Sequence, residues 1–169
     1  VVVIGDVFAD MISKVRGFPE TGGRTFGTSF MRNSGGTGGN IAAGLAVLGM
    51  EASIVCGLGD DENGEFLLEE LKQSGVNTEH VKVTAGLKSG AVPIMVDEDG
   101  ERVIYVLVKG SAFEAIEPED LLFLEEMNPD ALCFTGVIIG AHPVEESAIL
   151  AARRWKGRAK LYFDPNLCY

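Results

Sequence analysis

Short apolar runs, most of them ending in glycine or a polar residue, constrain the fold of this chain more than any other feature. The first run, 1–4, contains only valine and isoleucine, which is typical of a strand buried on both faces of a parallel sheet. The strands predicted from these runs are 1–4, 52–57, 81–84, 131–135 and 160–163.

Segments with helical spacing lie between these runs. The predicted helices cover about 39–48, from Asp60 or Asp61 to Gly75, from Pro118 to 128, and 143–156. On the first helix we expect the inner face to carry Ile41, Ala42, Leu45 and Leu48, and on the last helix Ile149, Ala152 and Trp155. The alternation of strands and helices predicts an α/β fold with a mainly parallel sheet.

Two segments have β-like pieces without helical periodicity. Residues 11–33 contain such pieces around a Thr-Gly-Gly turn at 21–23, and 91–96 pairs naturally with 102–108 across the turn at 97–100. These segments predict a small second group of strands beside the main sheet.

Composition limits the classes of partner. The 169 residues are 46% hydrophobic, as expected for one folded domain, and their net charge of −11 with no basic cluster argues against nucleic acid and anionic lipid as partners. Because no apolar run is long enough to span a membrane and no signal-like segment is present, we expect a cytoplasmic protein without a membrane partner.

Cysteine and histidine offer no metal site. The three cysteines are widely spaced and form no CxxC pair, and there are only two histidines. We therefore expect Cys56 and Cys133 to be buried free thiols, and we predict no metal ligand among these residues. Both ends of the chain fall at predicted strands, which suggests a segment of a longer protein.

The candidate ligand-binding residues follow the predicted strands. In an open parallel sheet, ligands bind beyond the carboxyl ends of the strands. Asp10 could accept hydrogen bonds from two neighbouring hydroxyls, and Asn40 offers a donor and an acceptor. Glycines at 35, 36, 38 and 39 would let a ligand approach backbone amides. A neutral polyhydroxylated ligand fits this set better than an anion, although a turn residue at Asp10 and a tight structural turn at 34–40 remain alternatives.

The glycine-rich loop matches neither common phosphate motif. It lacks the Gly-Lys-Ser/Thr of a P-loop, and Ile41 stands where a dinucleotide fingerprint needs a small residue. A nicotinamide cofactor is therefore disfavoured.

The string 34–49, SGGTGGNIAAGLAVLG, closely resembles the first signature of the ribokinase-like (PfkB-type) carbohydrate kinases. The segment 1–10 resembles the opening strand and substrate aspartate of that family, 57–64 its next segment, 97–108 its hairpin, and 164–166 a short motif after a later strand. The resemblance covers the whole chain.

The resemblance implies a three-layer α/β/α sandwich with a small β-sheet lid, formed by segments at about 11–33 and 91–108. It also implies transfer of the γ-phosphoryl group of ATP to a sugar hydroxyl with Mg²⁺, and a monovalent cation is a further candidate cofactor. The positions that match the sugar contacts of the family are Asp10, Gly35, Gly36, Asn40 and Gly136. Asp164 and Asn166 match positions on the phosphate and metal side. A homodimer through the lid is a further expectation.

Two departures limit the resemblance. The second signature of the family, a Gly-Ala-Gly-Asp helix start that supplies the catalytic base, does not occur in these residues. We therefore expect residues 1–169 to be the N-terminal part of a single kinase domain, with the base and the ATP pocket beyond residue 169. Cys168 stands where several sugar-acid and fructose kinases have arginine, so an anionic sugar acid is a less expected substrate.

Three alternatives to a carbohydrate kinase stay open. The first is a nucleoside kinase of the same family, since the same contacts would hold the ribose of a nucleoside. The second is a non-catalytic sugar-binding or dimerisation module, and the third, least favoured, is a dinucleotide-binding oxidoreductase domain. The identity of the sugar depends on lid side chains that the sequence alone does not reveal.

Overall fold

A computed structural model describes residues 1–166. The strands are β1 Val2–Ile4, β2 Phe8–Val15, β3 Gly27–Gly35, β4 Ser53–Val55, β5 Gly57–Gly59, β6 Lys82–Thr84, β7 Ala91–Val96, β8 Arg102–Ile104, β9 Ala131–Thr135 and β10 Lys160–Asp164. The helices are α1 Thr37–Val47, α2 Glu62–Gln73, α3 Leu124–Met127 and α4 Val144–Trp155, with 3-10 turns at Ala112–Glu114, Pro118–Leu121 and Gly136–Ile138.

The main sheet has the strand order β10-β9-β1-β4, and all its pairings are parallel. Alternate residues of β1 face opposite sides of this sheet. Val2 and Ile4 pack in a core that contains Trp155 of α4, whereas Val3 packs in a core that contains Ala42 of α1 and Leu67 of α2. Helices therefore cover both faces, and the predicted α/β/α layering is confirmed.

The second sheet has the strand order β3-β2-β7-β8. Its first and last pairs are antiparallel, and β2 and β7 run parallel. The strands predicted over 11–33 and the hairpin predicted over 91–108 thus come together in one sheet. The second strand of the hairpin ends at Ile104, and a single bridge between Leu107 and Ala91 continues the pairing.

The first and last helices differ in detail from the prediction. The first helix begins at a different residue, and on the last helix one predicted inner residue is exposed. Helix α1 begins at Thr37 rather than 39, and Leu48, which was expected on its inner face, is the exposed C-cap residue. In α4, Ile149 is exposed because Val144, Ala148, Ala151 and Trp155 set the buried face. Ile149 nevertheless lies on the side of α4 that faces the sheet, where it lines a groove with Phe134 of β9 and Phe163 of β10.

Two other elements differ in extent. The predicted strand 52–57 divides into β4, which joins the main sheet, and β5, which pairs with β6. The helix predicted from Pro118 is a 3-10 turn followed by the single turn α3, which ends at Asn128 in the left-handed conformation. Leu121 at the end of the 3-10 turn and Leu124 at the start of α3 are both buried.

Strand β10 lies at the edge of the main sheet, and all five of its residues are exposed. Leu161, Tyr162 and Phe163 are 39–56% exposed, and an apolar groove of about 390 Å³ lies between this strand and α4.

Both predicted buried thiols, Cys56 and Cys133, are buried and free. In the part of the chain that the structure describes, no helix is long and apolar enough to cross a membrane.

Candidate functional site

Three parallel strands end at the same edge of the main sheet. Ile4 of β1 pairs with Phe134 of β9, and Thr135 of β9 pairs with Asp164 of β10. The chain therefore brings Asp6, Thr135 and Asp164 to one edge, next to the glycine-rich loop that opens α1.

Asp6 organises this edge. Its buried carboxylate accepts hydrogen bonds from the N–H of Thr37 at 2.7 Å, from the N–H of Gly38 at 3.3 Å and from the hydroxyl of Thr135 at 2.8 Å. The carboxylate thus caps the first turn of α1 from a different strand, which explains why the helix begins two residues earlier than predicted. Sequence reasoning assigned no role to Asp6, although its place directly after a buried strand was a signal.

The glycines at 36 and 38 allow the loop to pack on the turn between β1 and β2. Gly36 has a φ of +90°, and a Cβ on Gly38 would lie 2.8 Å from both N and O of Asp6. The N–H groups of Gly38 and Gly39 both donate to Asp6, to its carboxylate and its carbonyl oxygen respectively. These two amides therefore do not point to a ligand, contrary to the expectation from the sequence.

Asp10 and Gly35 form the open part of the site. Asp10 lies in β2 opposite Asn33, and its carboxylate packs against the Cα of Gly35, where a Cβ would come within 2.3 Å of Asp10 Oδ2. Asp10 is half-buried, and burial together with the nearby charge of Asp6 raises the pKa of its carboxyl. A carboxylate held in this way can accept hydrogen bonds from two adjacent hydroxyls.

Gly136 and the 164–166 motif are in contact. A Cβ on Gly136 would lie 2.0 Å from the carbonyl oxygen of Pro165, so only glycine fits there. The backbone N–H of Asn166 donates to Asp164 Oδ1 at 3.0 Å, which closes a tight turn after β10. The structure thus joins these three predicted positions at the ends of β9 and β10.

Asn40 is the least constrained of the predicted residues. It lies in the first turn of α1, is exposed, and its N–H donates to Gly36 O at 3.0 Å. Its side chain makes no hydrogen bond within residues 1–166. The prediction drawn from Cys168 lies outside the described residues.

The described residues do not by themselves form a metal site. Over residues 1–166, no group of three or more His, Cys, Asp or Glu side chains is placed to hold a metal ion. Asp164 and Asn166 offer oxygen ligands of the kind that Mg²⁺ prefers, but two residues alone do not complete a site.

Comparison with known proteins gives the family that the sequence motifs resemble, over residues 1–168 of this chain. The profile of the pfkB family carbohydrate kinases matches residues 1–168. A ribokinase from Mus musculus is 34% identical over 121 residues, which are 72% of this chain and 37% of that protein. An ATP-dependent ribose-1-phosphate kinase from Halopiger xanaduensis is 32% identical over 162 residues, which are 96% of this chain and 52% of that protein.

The fold agrees with a solved structure. A sugar kinase from Pyrococcus horikoshii, crystallised in complex with ATP, superposes with a TM-score of 0.84 at 24% identity, covering 99% of this chain and 53% of that one. The chain spans about half the length of most of the relatives that it matches. It belongs to the pfkB family of carbohydrate kinases.

Proposed function

We propose that this chain forms the sugar-binding side of an ATP-dependent kinase that phosphorylates a hydroxyl group of a sugar. The observation that carries the proposal is the half-buried carboxylate of Asp10 against Gly35. Because Gly35 has no Cβ, the Asp10 carboxylate can occupy this position, from which it can accept hydrogen bonds from two hydroxyl groups of a sugar.

The other predicted sugar-binding residues have separate roles around the Asp10 carboxylate. Gly35 and Gly36 form the floor against which the sugar ring lies. Asn40 offers an amide donor and acceptor to further hydroxyls, and Gly136 lies at the end of β9. The second sheet would act as the lid, which covers the sugar, excludes water and orients the reacting hydroxyl.

An uncharged sugar is favoured over an anionic one. The N-terminus of a helix attracts anions because its free N–H groups carry partial positive charge. At α1 this position is already occupied by the carboxylate of Asp6, which accepts from Thr37 and Gly38. A second negative group there would be repelled by Asp6.

The phosphate side is assigned to Asp164 and Asn166. ATP bound with Mg²⁺ would supply the phosphoryl group, and the metal would offset its negative charge. Because the residues present do not complete a metal site and contain no Gly-Ala-Gly-Asp segment, we assign no catalytic base here and derive no step through the metal. The proposal gives this chain the binding and orientation of the acceptor.

A homodimer through the second sheet is part of the proposal. Phe26 and Phe30 on the β3 side are 80% and 67% exposed, and Tyr105 and Leu107 beyond β8 are 54% and 60% exposed. Exposed apolar side chains at this density are typical of an interaction surface. The molar mass measured by light scattering tests it, with Phe30→Ser expected to shift a dimer toward the monomer.

The activity test uses the complete gene product with ATP and Mg²⁺, and a panel of pentoses, hexoses, sugar acids and nucleosides. We expect ADP release with a neutral sugar, and a loss of that activity in Asp10→Asn with the fold retained. If only nucleosides are phosphorylated, the protein is a nucleoside kinase and not a carbohydrate kinase. Saturable sugar binding without ADP release would instead support a non-catalytic module.

A further inference from the structure

Arg32 joins the second sheet to the main body of the molecule. It lies in β3, three residues before Gly35. Its Nη1 donates to Asn63 Oδ1 at 3.2 Å, and its guanidinium carbon lies 4.2 Å from the centre of the Phe66 ring. Asn63 and Phe66 belong to the first turns of α2, so a single side chain of β3 makes both a polar and a stacking contact with this helix.

Arg32 acts from the side of the sheet opposite the proposed sugar site. In the β2–β3 pair, Arg32 is opposite Met11, whereas Asp10 is opposite Asn33. Because successive side chains of a strand point to opposite faces, the guanidinium and the Asp10 carboxylate lie on different faces of the sheet. Arg32 therefore does not touch the sugar but holds the strand that leads to Gly35.

Apart from its pairing with β2, few contacts fix β3 on this side. Its first seven residues are exposed, and burial begins only at Ser34 and Gly35. A strand with so little buried surface opens easily unless specific side-chain contacts hold it. The contacts of Arg32 with Asn63 and Phe66 of α2 are therefore placed to control how often β3 separates from α2.

The same end of α2 also holds the entry to β7. The hydroxyl of Ser89 donates to Asp61 Oδ1 at 2.8 Å and accepts from the N–H of Gly59 at 2.9 Å, while the N–H of Ser89 donates to Asp61 Oδ2 at 3.2 Å. Asp61 is the N-cap of α2. Two separate strands of the second sheet are thus attached to one helix end.

We propose that Arg32 is a positioning residue, which clamps β3 to α2 and so sets Gly35 against Asp10 for the sugar. This inference rests on the proposed function for its consequence in catalysis. The clamp itself is a property of the free protein and can be measured without substrate.

The test compares Arg32→Ala and Arg32→Lys with Arg24→Ala, all in the complete gene product. Arg24 is an exposed arginine before β3 that makes no hydrogen bond or ion pair within residues 1–166, so it controls for the loss of a charge. Hydrogen exchange of the amides over 27–35 is measured in the free protein. KM and kcat are measured with ATP and the pentose or hexose that gives the most ADP release in the panel.

We expect Arg32→Ala to raise the exchange rates of β3 about 10-fold and to raise KM for the sugar by a similar factor. The value of kcat at saturating sugar should change less, because a bound sugar holds the strand in place. Arg32→Lys should recover only part of both effects, since an ammonium group lacks the flat face that stacks on Phe66. Arg24→Ala should behave like the wild type.

Phe66→Leu provides a second variant that retains an apolar side chain. It should reproduce part of the effect of Arg32→Ala and add little to it in the double variant, because the two residues act through one contact. If the effects of the two substitutions on the exchange rates and on KM are fully additive, the proposal that Arg32 clamps β3 through Phe66 is overturned.

Unchanged exchange and unchanged KM in Arg32→Ala would also overturn the proposal, as would a lower Tm with an unchanged KM. If the wild type phosphorylates no sugar, the proposed function fails. The exchange rates of β3 still decide whether Arg32 clamps the strand.

Discussion

The carboxylate of Asp10 occupies the space that a side chain on Gly35 would need. A Cβ at position 35 would lie 2.3 Å from Oδ2 and 2.6 Å from Cγ of Asp10. The two residues lie on neighbouring antiparallel strands, so the pairing of β2 with β3 determines the shape of the proposed sugar site.

Gly35→Ala should therefore weaken sugar binding with little loss of stability. The atoms that must move belong to the end of the Asp10 side chain, which can rotate away at low cost but then no longer faces the sugar. We expect the Kd for the sugar, measured by calorimetry, to rise at least about 10-fold, as when one hydrogen bond to a charged group is lost.

Gly44→Ala is the matched control for this change. Position 44 is exposed in α1 with nothing near the added Cβ, so alanine should stabilise the helix by about 0.5–1 kcal/mol and leave binding unchanged. An unchanged Kd in Gly35→Ala would contradict the assignment of Asp10 to the sugar.

Asp10→Asn should raise Tm at neutral pH while it lowers sugar affinity. Burial and the charge of Asp6 raise the pKa of Asp10, so the ionised carboxyl is less stable in the folded than in the unfolded chain. This cost develops as pH rises through the folded pKa, and an amide removes it. The loss of two hydrogen bonds to a charged acceptor should cost about 3 kcal/mol of binding, or roughly 100-fold in Kd.

Thermal melts at pH 7 and pH 3, together with titration calorimetry, check this prediction. The gain in Tm should shrink at pH 3, where the wild-type carboxyl is protonated. A lower Tm of Asp10→Asn at pH 7 would show that the carboxylate stabilises the free protein instead.

Asp6→Asn should destabilise the fold. The amide nitrogen would face N–H and O–H donors that now bond to a carboxylate, so at least one buried hydrogen bond to a charged group is lost. We expect a loss of about 2–3 kcal/mol in the free energy of unfolding, measured with urea. Asp99→Asn in the exposed turn before β8 should change it by less than about 0.5 kcal/mol.

Glu125 should make stability depend on pH in the acid range. Hydrogen bonds from Arg158, with Nη2 to Oε2 at 3.0 Å, and from Arg154 lower the pKa of Glu125 to about 2 from an ordinary value of 4.5. Its stabilisation is complete above about 4.5 and is lost as pH falls toward about 2. Melts of Glu125→Gln between pH 7 and pH 2 should show a lower Tm at pH 7 and a smaller fall in acid.

Glu126→Gln serves as the control for Glu125. Its exposed side chain makes no ion pair within residues 1–166, so its melting curve should follow the wild type at every pH. If Glu125→Gln also follows the wild type, the contact with the two arginines contributes nothing measurable.

The predictions from sequence were most accurate for strands, helix caps and turns that depend on local patterns. Strands β1 and β9 are buried as their apolar runs indicate, and Asp61 caps α2 at one of the two predicted positions. The turn 97–100 joins β7 to β8 as expected. Each of these features depends on residues that are close in sequence.

The differences arise from contacts between distant residues. The start of α1 depends on Asp6, which is also bonded to Thr135, 129 positions away along the chain. Ile149 is exposed because it faces a groove beside the edge strand β10, and the spacing of apolar residues does not reveal that groove. The fit of Asp10 on Gly35 depends on the register of two strands that the sequence did not specify.

Strand β10 has a practical consequence for protein production. Within residues 1–166, no strand pairs with its outer backbone N–H and C=O groups, and its apolar side chains are exposed on both faces. Such an edge recruits another strand, from a second copy or from a misfolded chain. A polypeptide limited to these 169 residues is therefore expected to precipitate at high concentration, and a solubilising charge at Tyr162 would be the first change to make for work on the fragment.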